Sequence, residues 1–225
     1  MNKTRLAELH HQFLRRNGCD PASPEDPLRA GLDASFERSL ADWTRDAEAS
    51  WRAFLPPLFK GNDLGFKALS GNRREIRTVV EWKPGSRGLF LSGPSGSGKT
   101  RSLIALAERL SVGELRPFTW LWQAELNRSI NADSVPAEFM ERMDRAAKAP
   151  LLFLDDFGKF ATLGSRTGLL LGEIEALIDR RHRECLPLLL STNLRAEDFQ
   201  KTFGAISAEP VLRRLTEMCD VVQFK

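Results

Sequence analysis

The sequence predicts an α/β fold in which helices flank a parallel β-sheet, preceded by a small helical module. From about residue 88 onward, short apolar runs that suit buried strands alternate with segments whose apolar residues recur every three or four positions. A glycine-rich loop directly follows the first of these runs. Up to about residue 55, by contrast, apolar residues recur at helical spacing only. Alternating strands and helices are typical of a parallel sheet, because each crossover between parallel strands carries a helix.

Two helices are predicted in the N-terminal module. Thr4 is in position to cap the first, whose apolar stripe ends before Gly18. After a proline-rich break, the second is predicted from about Asp33 to Phe54, with Trp43 and Trp51 in its stripe. Glycines and prolines then interrupt every period. The predicted division is a partner-binding helical module over 1–60, a linker over 61–72 and an α/β core over 73–225.

The core is predicted to start with a helix, after which strands and helices alternate. In order, the predicted elements are a helix over 73–82, a strand over 89–91, a helix over 100–110, a strand over 117–122, a helix over 136–149, a strand over 151–156, a helix over 167–185, a strand over 187–193, two helices over 196–203 and 209–218, and a last strand over 220–224. The strands over 151–156 and 187–193 are almost wholly apolar, which favours the centre of the sheet.

The loop between the first strand and its helix, in the segment GLFLSGPSGSGKTR, fits G-x-x-x-x-G-K-[ST] without a mismatch. Such a loop points backbone N–H groups at an anion beside a helix N-terminus. Its lysine reaches the β- and γ-phosphates, and its hydroxyl can ligate Mg²⁺. The sequence therefore predicts a nucleotide site, formed by Gly93, Pro94, Ser95, Gly96, Ser97, Gly98, Lys99, Thr100 and Arg101.

Further candidates stand at the ends of predicted elements. Asp155, at the end of LLFLDD, is expected to hold Mg²⁺ through water, and Asp156 to orient or deprotonate an attacking water. Asn193 could position the same water, or it could cap the helix that follows. In PVLRRL, Arg213 and Arg214 lie about 100° apart on a helix. One could stabilise transition-state charge in an adjoining subunit, or both could belong to a solvated face.

Taken together, GPSGSGKT, LLFLDDFG, LLLSTNL and PVLRRL occur in the order and at the spacings of the AAA+ ATPases. The set most resembles the DnaC/IstB branch, which comprises helicase loaders and transposition helper ATPases, and the resemblance covers residues 73–224. It implies a P-loop NTPase fold of the AAA+ type. It also implies that residues 93–100 are Walker A, Asp155 and Asp156 Walker B, Asn193 sensor 1, and Arg214 an arginine finger acting in trans, with Arg213 as the alternative.

The resemblance implies an ATP- and Mg²⁺-dependent ATPase of DNA metabolism, most similar to a DnaC-like loader. Such a protein forms homo-oligomers with ATP, contacts DNA and presents a replicative helicase through its N-terminal module. An IstB-like helper with a transposase partner and a non-hydrolysing switch stay open. A small-molecule kinase fits less well, because its loop would stand near the start of the chain. Asp156 replaces the family's usual Glu, and the lid after the last strand is expected to be reduced or absent, so turnover is expected to be slow and stimulated by partner or DNA.

Composition adds few constraints. The formal net charge is +3, so any surface for nucleic acid has to be local. Two arginine clusters are candidates, each with a solvated helix face as the alternative: Arg73, Arg74 and Arg77, and Arg180, Arg181 and Arg183. Three isolated cysteines favour reduced thiols in a cytoplasmic protein, and neither a signal peptide nor a membrane span is predicted.

Overall fold

The computed structural model describes residues 1, 3–60, 74–85, 87–130, 136–160 and 167–225. The chain divides into two compact units, one of residues 1–63 with 107–116 and one of residues 64–106 with 117–225. The first unit thus includes the end of the helix that follows the glycine-rich loop, which the predicted module does not contain. The predicted linker over 61–72 lies outside the described residues, and the domain boundaries stay a prediction.

Two helices of the first unit pack against each other through aromatic rings. Helix α1 spans Lys3–Arg16 and α2 spans Arg29–Phe54. The ring of Phe36 lies 5.5 Å from that of Phe13, and Trp43 packs edge-on against both. Because α1 begins at Lys3, Thr4 lies inside its first turn, and the predicted cap is wrong. Trp43 of the predicted stripe therefore contacts α1, although its side chain is 37% exposed.

The second unit is an alternating series of strands and helices. Its elements are α3 (Arg74–Val80), β1 (Gly88–Ser92), α4 (Lys99–Ser111, whose end belongs to the first unit), β2 (Thr119–Trp122), α5 (Gln123–Ser129), α6 (Ala137–Lys148), β3 (Leu152–Phe157), α7 (Thr167–Arg183), β4 (Leu188–Thr192), α8 (Ala196–Met218) and β5 (Cys219–Gln223). The five strands form one sheet in the order β2-β3-β4-β1-β5, and every pairing is parallel. The predicted α/β class is confirmed.

The strands β3 and β4 lie inside the sheet, as their apolar sequences predict. Leu152, Phe153 and Leu154 are fully buried, as are Leu188, Leu189 and Leu190. The continuation of both strands carries the polar residues of the predicted site. Since all strands are parallel, those residues emerge at one edge of the sheet, together with the loop after β1.

One element differs from the prediction. Helix α5 was not predicted, because its seven residues are too few to show a period. The two helices predicted over 196–203 and 209–218 are confirmed as the two parts of α8, which are separated by a kink at Gly204 with φ +75° and ψ 163°. Among the described helices, none combines the length and apolar character needed to cross a bilayer.

Candidate nucleotide-binding site

The glycine-rich loop leaves β1 and enters α4 at Lys99. The Lys99 ammonium donates to the carbonyl oxygens of Gly93 and Pro94 over 2.9 and 2.8 Å, and it lies 3.4 Å from Ser97 Oγ. Lys99 is only 5% exposed, and desolvation by burial lowers its pKa. The lysine is therefore held over the loop at the N-terminus of a 13-residue helix, where an anion is favoured.

The first residue of the loop has to be glycine. Gly93 has φ +147°, and a Cβ there would lie 2.5 Å from the carbonyl oxygen of Phe224. Phe224 approaches so closely because its N–H donates to the Ser92 carbonyl over 2.8 Å, which continues the pairing of β1 with β5. The start of the loop is thereby positioned by the last strand of the sheet.

Asp155 connects this loop to the middle of the sheet. Its side chain is buried, and its Oδ1 accepts hydrogen bonds from Thr100 Oγ1 over 3.0 Å and from Ser191 Oγ. Desolvation raises the pKa of the Asp155 carboxyl, and the nearby charge of Asp156 adds to the increase, while the two hydroxyl donors oppose it. A carboxylate kept in an unfavourable environment is ready to accept a cation.

The oxygen set formed by Thr100 and Asp155 fits Mg²⁺. The hydroxyl and the carboxylate oxygen are 3.0 Å apart. Both atoms are hard oxygen donors, as this ion prefers. The predicted metal-binding pair is therefore compatible with the cation.

A bulge in β3 separates the two acidic residues. Leu154 pairs with Leu190 and Phe157 with Thr192, so β3 contains one residue more than β4 over this stretch. Asp156 has φ +60°, a left-handed conformation that Asp tolerates better than most residues. Its N–H donates to Ser191 Oγ over 3.0 Å. Bulges beside functional sites redirect side chains, and this one turns Asp156 away from the buried residues that precede it in β3.

The turn after β3 packs against the end of β4. A Cβ on Gly158, whose φ is +94°, would lie 2.3 Å from Leu194 Cδ1. Next to Leu194, Asn193 is half-buried and does not cap α8, since Arg195 is the N-cap and its N–H meets the Asp198 carboxylate at 3.4 Å. The capping alternative for Asn193 is therefore wrong.

Asn193 instead lines a cleft of 1030 Å³ beside the loop. The cleft is bounded by the first loop residues Gly93, Pro94 and Ser95, and on its other sides by Arg195 and Val221. The structure thus brings Asn193 to the same edge as the loop and the acidic pair. Arg101, on the first turn of α4, is exposed.

The two adjacent arginines of α8 differ in environment. Arg214 is 22% exposed and pairs with Asp179 of α7, its Nη2 lying 3.0 Å from Oδ1. Its Nη1 is buried and has no hydrogen-bond partner among the described residues. Arg213 is 68% exposed, and its contact with Glu217 is 3.8 Å long. Arg214 is therefore held within its own chain, whereas Arg213 extends from the surface.

The arginines at the end of α7 do not form a common basic face. Arg181 is fully buried and donates to the carbonyl oxygens of Ala146, Ala149 and Pro187 over 2.6–2.8 Å. Desolvation lowers its pKa to about 10, so it is a cation at neutral pH. A contact between Arg181 and nucleic acid is thus ruled out by burial. In the other cluster Arg74 and Arg77 are exposed, and Arg73 lies outside the described residues.

Sequence reasoning missed two residues of this edge. Ser191 bonds to both acidic residues, and the signal was a hydroxyl following three leucines in a buried strand. Lys159 lies 2.8 Å from Asp156 Oδ2, three residues further along the turn. Its signal was only an i,i+3 charge pair, a spacing that also occurs on ordinary surfaces.

The geometry agrees with comparisons to known proteins. A family model described as "IstB-like ATP binding protein" matches residues 37–225, which include the loop, both acidic residues and the arginines of α8. A search of curated proteins gave no match.

Solved structures share the fold at low sequence identity. A crystal structure of DnaI has 23% identity and a TM-score of 0.58, over 76% of this chain and 92% of that one. The DnaC helicase loader has 20% identity and a TM-score of 0.52, over 67% and 86%. The replication initiator DnaA, bound to AMPPCP and single-stranded DNA, has 14% identity and a TM-score of 0.55, over 76% and 51%.

Proposed function

The chain belongs to the family of IstB-like ATP-binding proteins, and from this premise we propose that it is an ATP-hydrolysing assembly factor of DNA metabolism. The proposed partners are copies of itself, DNA and a replicative helicase, and the fold that the chain shares with the DnaC helicase loader supports the last of these. The N-terminal module, residues 1–60, would present the helicase. ATP would control how the copies assemble.

One observation carries the proposal. The loop lysine, the Thr100 hydroxyl and the Asp155 carboxylate lie at one sheet edge, where Thr100 is bonded to Asp155 over 3.0 Å. Asp156 and Asn193 stand beside them on the ends of β3 and β4. A site that only binds anions would need the loop alone. The added acidic pair supports binding of a metal–triphosphate complex and attack by water.

Each residue then has a distinct role in hydrolysis. Lys99 and the loop N–H groups bind the phosphates, while Thr100 and Asp155 hold Mg²⁺, which would neutralise phosphate charge. Asp156 orients the attacking water and accepts its proton, and Asn193 fixes the same water through its amide. Arg214 of a neighbouring copy would stabilise the developing charge, so turnover would depend on assembly.

Calorimetry combined with light scattering tests this proposal. We expect the wild-type chain to bind Mg·ATP and to increase in mass when ATP and a DNA oligonucleotide are both present. Lys99→Met should weaken ATP binding roughly 100-fold, since it removes charge-assisted hydrogen bonds of about 3 kcal/mol in total. Lys148→Met, an exposed lysine in the last turn of α6, is the matched control and should bind as the wild type does.

Two results would contradict the proposal: Mg²⁺-independent ATP binding, or unchanged binding by Lys99→Met. A transposition helper is the second candidate, and the IstB-like description of the matched family favours it. Both candidates share the ATPase core and differ in partner. Recovery of a transposase rather than a replicative helicase with the wild-type protein would select the second.

A further inference from the structure

The carboxylate proposed to act on water is paired with a lysine that the mechanism does not use. Lys159 Nζ lies 2.8 Å from Asp156 Oδ2, and the side chains are 54% and 42% exposed. The two residues form a turn, since the Lys159 N–H also donates to the Asp156 carbonyl over 3.3 Å. The ion pair engages one carboxylate oxygen and leaves Oδ1 for another partner.

Two amides hold the backbone of Lys159 in place. Asn127 Nδ2 donates to the Lys159 carbonyl over 2.6 Å, and Gln123 Nε2 donates to Asn127 Oδ1 over 2.8 Å. Gln123 is 1% exposed. Both amides lie on α5, which begins directly after Trp122, the register partner of Asp155. The turn that carries Lys159 is therefore anchored to the same sheet edge as the acidic pair.

We propose that Lys159 is a positioning residue for Asp156, and that the Gln123–Asn127 pair fixes Lys159 for this purpose. The inference rests on the proposed hydrolytic role of Asp156. An exposed ion pair contributes little to stability. The length of 2.8 Å and the second anchor on α5 favour a role of the ion pair in orienting Asp156 over a role in stabilising the fold.

The physical need for such a residue follows from the bulge. Asp156 is half-exposed, and its neighbour Asp155 is a second carboxylate. Without a cation at Oδ2, repulsion and free rotation would both move Oδ1 away from the water that it has to orient. A displacement of about 1 Å at a reacting group can cost about 10²-fold in rate. Lys159 holds the rotamer and balances the charge.

The chain offers a matched control for this pair. Lys201 lies 3.6 Å from Asp198, also three residues apart, on α8, and its side chain is 81% exposed. Steady-state phosphate release and calorimetric ATP affinity would be measured for the full chain with Mg²⁺ and a DNA oligonucleotide. The variants are Lys159→Met, Lys159→Arg, Asn127→Ala and Lys201→Met.

We expect Lys159→Met to lower kcat roughly tenfold, less than the 10²-fold cost of a full ångström displacement, with KM and ATP affinity unchanged. Lys159→Arg should keep most of the turnover, because it keeps the charge. Asn127→Ala should lower kcat about twofold to threefold, because an amide anchor acts only indirectly. Lys201→Met should match the wild type.

Three outcomes would overturn the inference: unchanged or increased kcat in Lys159→Met, an equal loss of kcat and ATP affinity, or no rescue by Lys159→Arg. They are separable from failure of the proposed function. If the wild type binds Mg·ATP and releases no phosphate, the hydrolytic function is refuted and the role of Lys159 falls with it. If the wild type and Lys159→Met turn over equally, only the role of Lys159 is refuted.

Discussion

Two regions of the molecule are rich in charge, yet they are organised differently. One is the edge of the sheet that carries the glycine-rich loop, and the other is the arginine-rich region of α7 and α8. At the edge, Lys99 and Asp155 are both buried, and each is bonded to a neighbouring strand or loop. In the arginine-rich region, exposure rises from 0% at Arg181 to 22% at Arg214 and 68% at Arg213. Charges at strand ends converge, whereas charges on helices separate according to packing.

The cause of this difference is geometric. The ends of parallel strands meet at one edge whatever else packs on the sheet, so Asp155 and the loop are neighbours by topology. Successive residues on a helix point about 100° apart, so Arg213 and Arg214 enter different environments. A charged motif in the first region can be assigned from its position along the chain, and one in the second cannot.

The largest expected effect concerns the arginine-rich region of α7 and α8 and is a change in the rate of ATP hydrolysis. Arg214→Ala should lower ATP hydrolysis about 10³-fold without changing ATP affinity, because an arginine acting in trans contributes to the transition state only. Turnover per subunit in the wild type should rise with protein concentration, and this dependence should disappear in the variant. Phosphate release measured over a range of protein concentrations checks both points.

Arg213→Ala is the matched control for that experiment. Since Arg213 is exposed and loosely held, its loss should change turnover less than threefold if Arg214 is the finger. The reverse result, with Arg213→Ala inactive and Arg214→Ala active, would transfer the role to the exposed arginine. The ion pair with Asp179 would then be a structural contact only.

The next effect concerns stability. Arg181→Met should lower the free energy of unfolding by about 3 kcal/mol, because it leaves the carbonyl oxygens of Ala146, Ala149 and Pro187 buried without their donor. Urea unfolding measures the change. Arg183→Met removes a 70% exposed partner of Asp179 and should cost less than about 1 kcal/mol. Equal losses of stability in Arg181→Met and Arg183→Met would show that burial does not distinguish the two arginines.

The smallest expected effect concerns Asp155 at the sheet edge and the pH dependence of the free energy of unfolding. Asp155→Asn should raise the free energy of unfolding by about 1 kcal/mol at pH 7, as removal of a strained site group commonly does. Oδ1 of the new amide can still accept from Thr100 and Ser191. Because burial raises the folded-state pKa of Asp155, the wild type loses stability as pH rises through that value.

The gain from Asp155→Asn should therefore grow with pH and vanish below the unfolded-state value of 3.8. Urea unfolding at several pH values measures it. Asp144→Asn, on the exposed side of α6, should change stability by less than about 0.5 kcal/mol at every pH. A gain in the free energy of unfolding that is independent of pH would show that burial does not destabilise the ionised Asp155 carboxylate.

Much of the fold and part of the candidate site were predictable from local patterns. The apolar runs of β3 and β4 predicted central strands, and the spacing of Gly93, Gly98 and Lys99 predicted a loop between a strand and a helix. The roles of Asp156, Asn193 and Arg214 stay predictions. The short helix α5 was not predictable, because seven residues show no period.

By itself, the sequence determined that a glycine-rich loop, an acidic pair and an amide would meet at one sheet edge, because local patterns indicate where the strands lie and where they end. Only the tertiary structure decided that Ser191 bonds to Asp155, that Asn127 anchors the backbone of Lys159 and that Arg181 is buried. These outcomes depend on burial and register, which are set by segments distant along the chain. No local window contains that information.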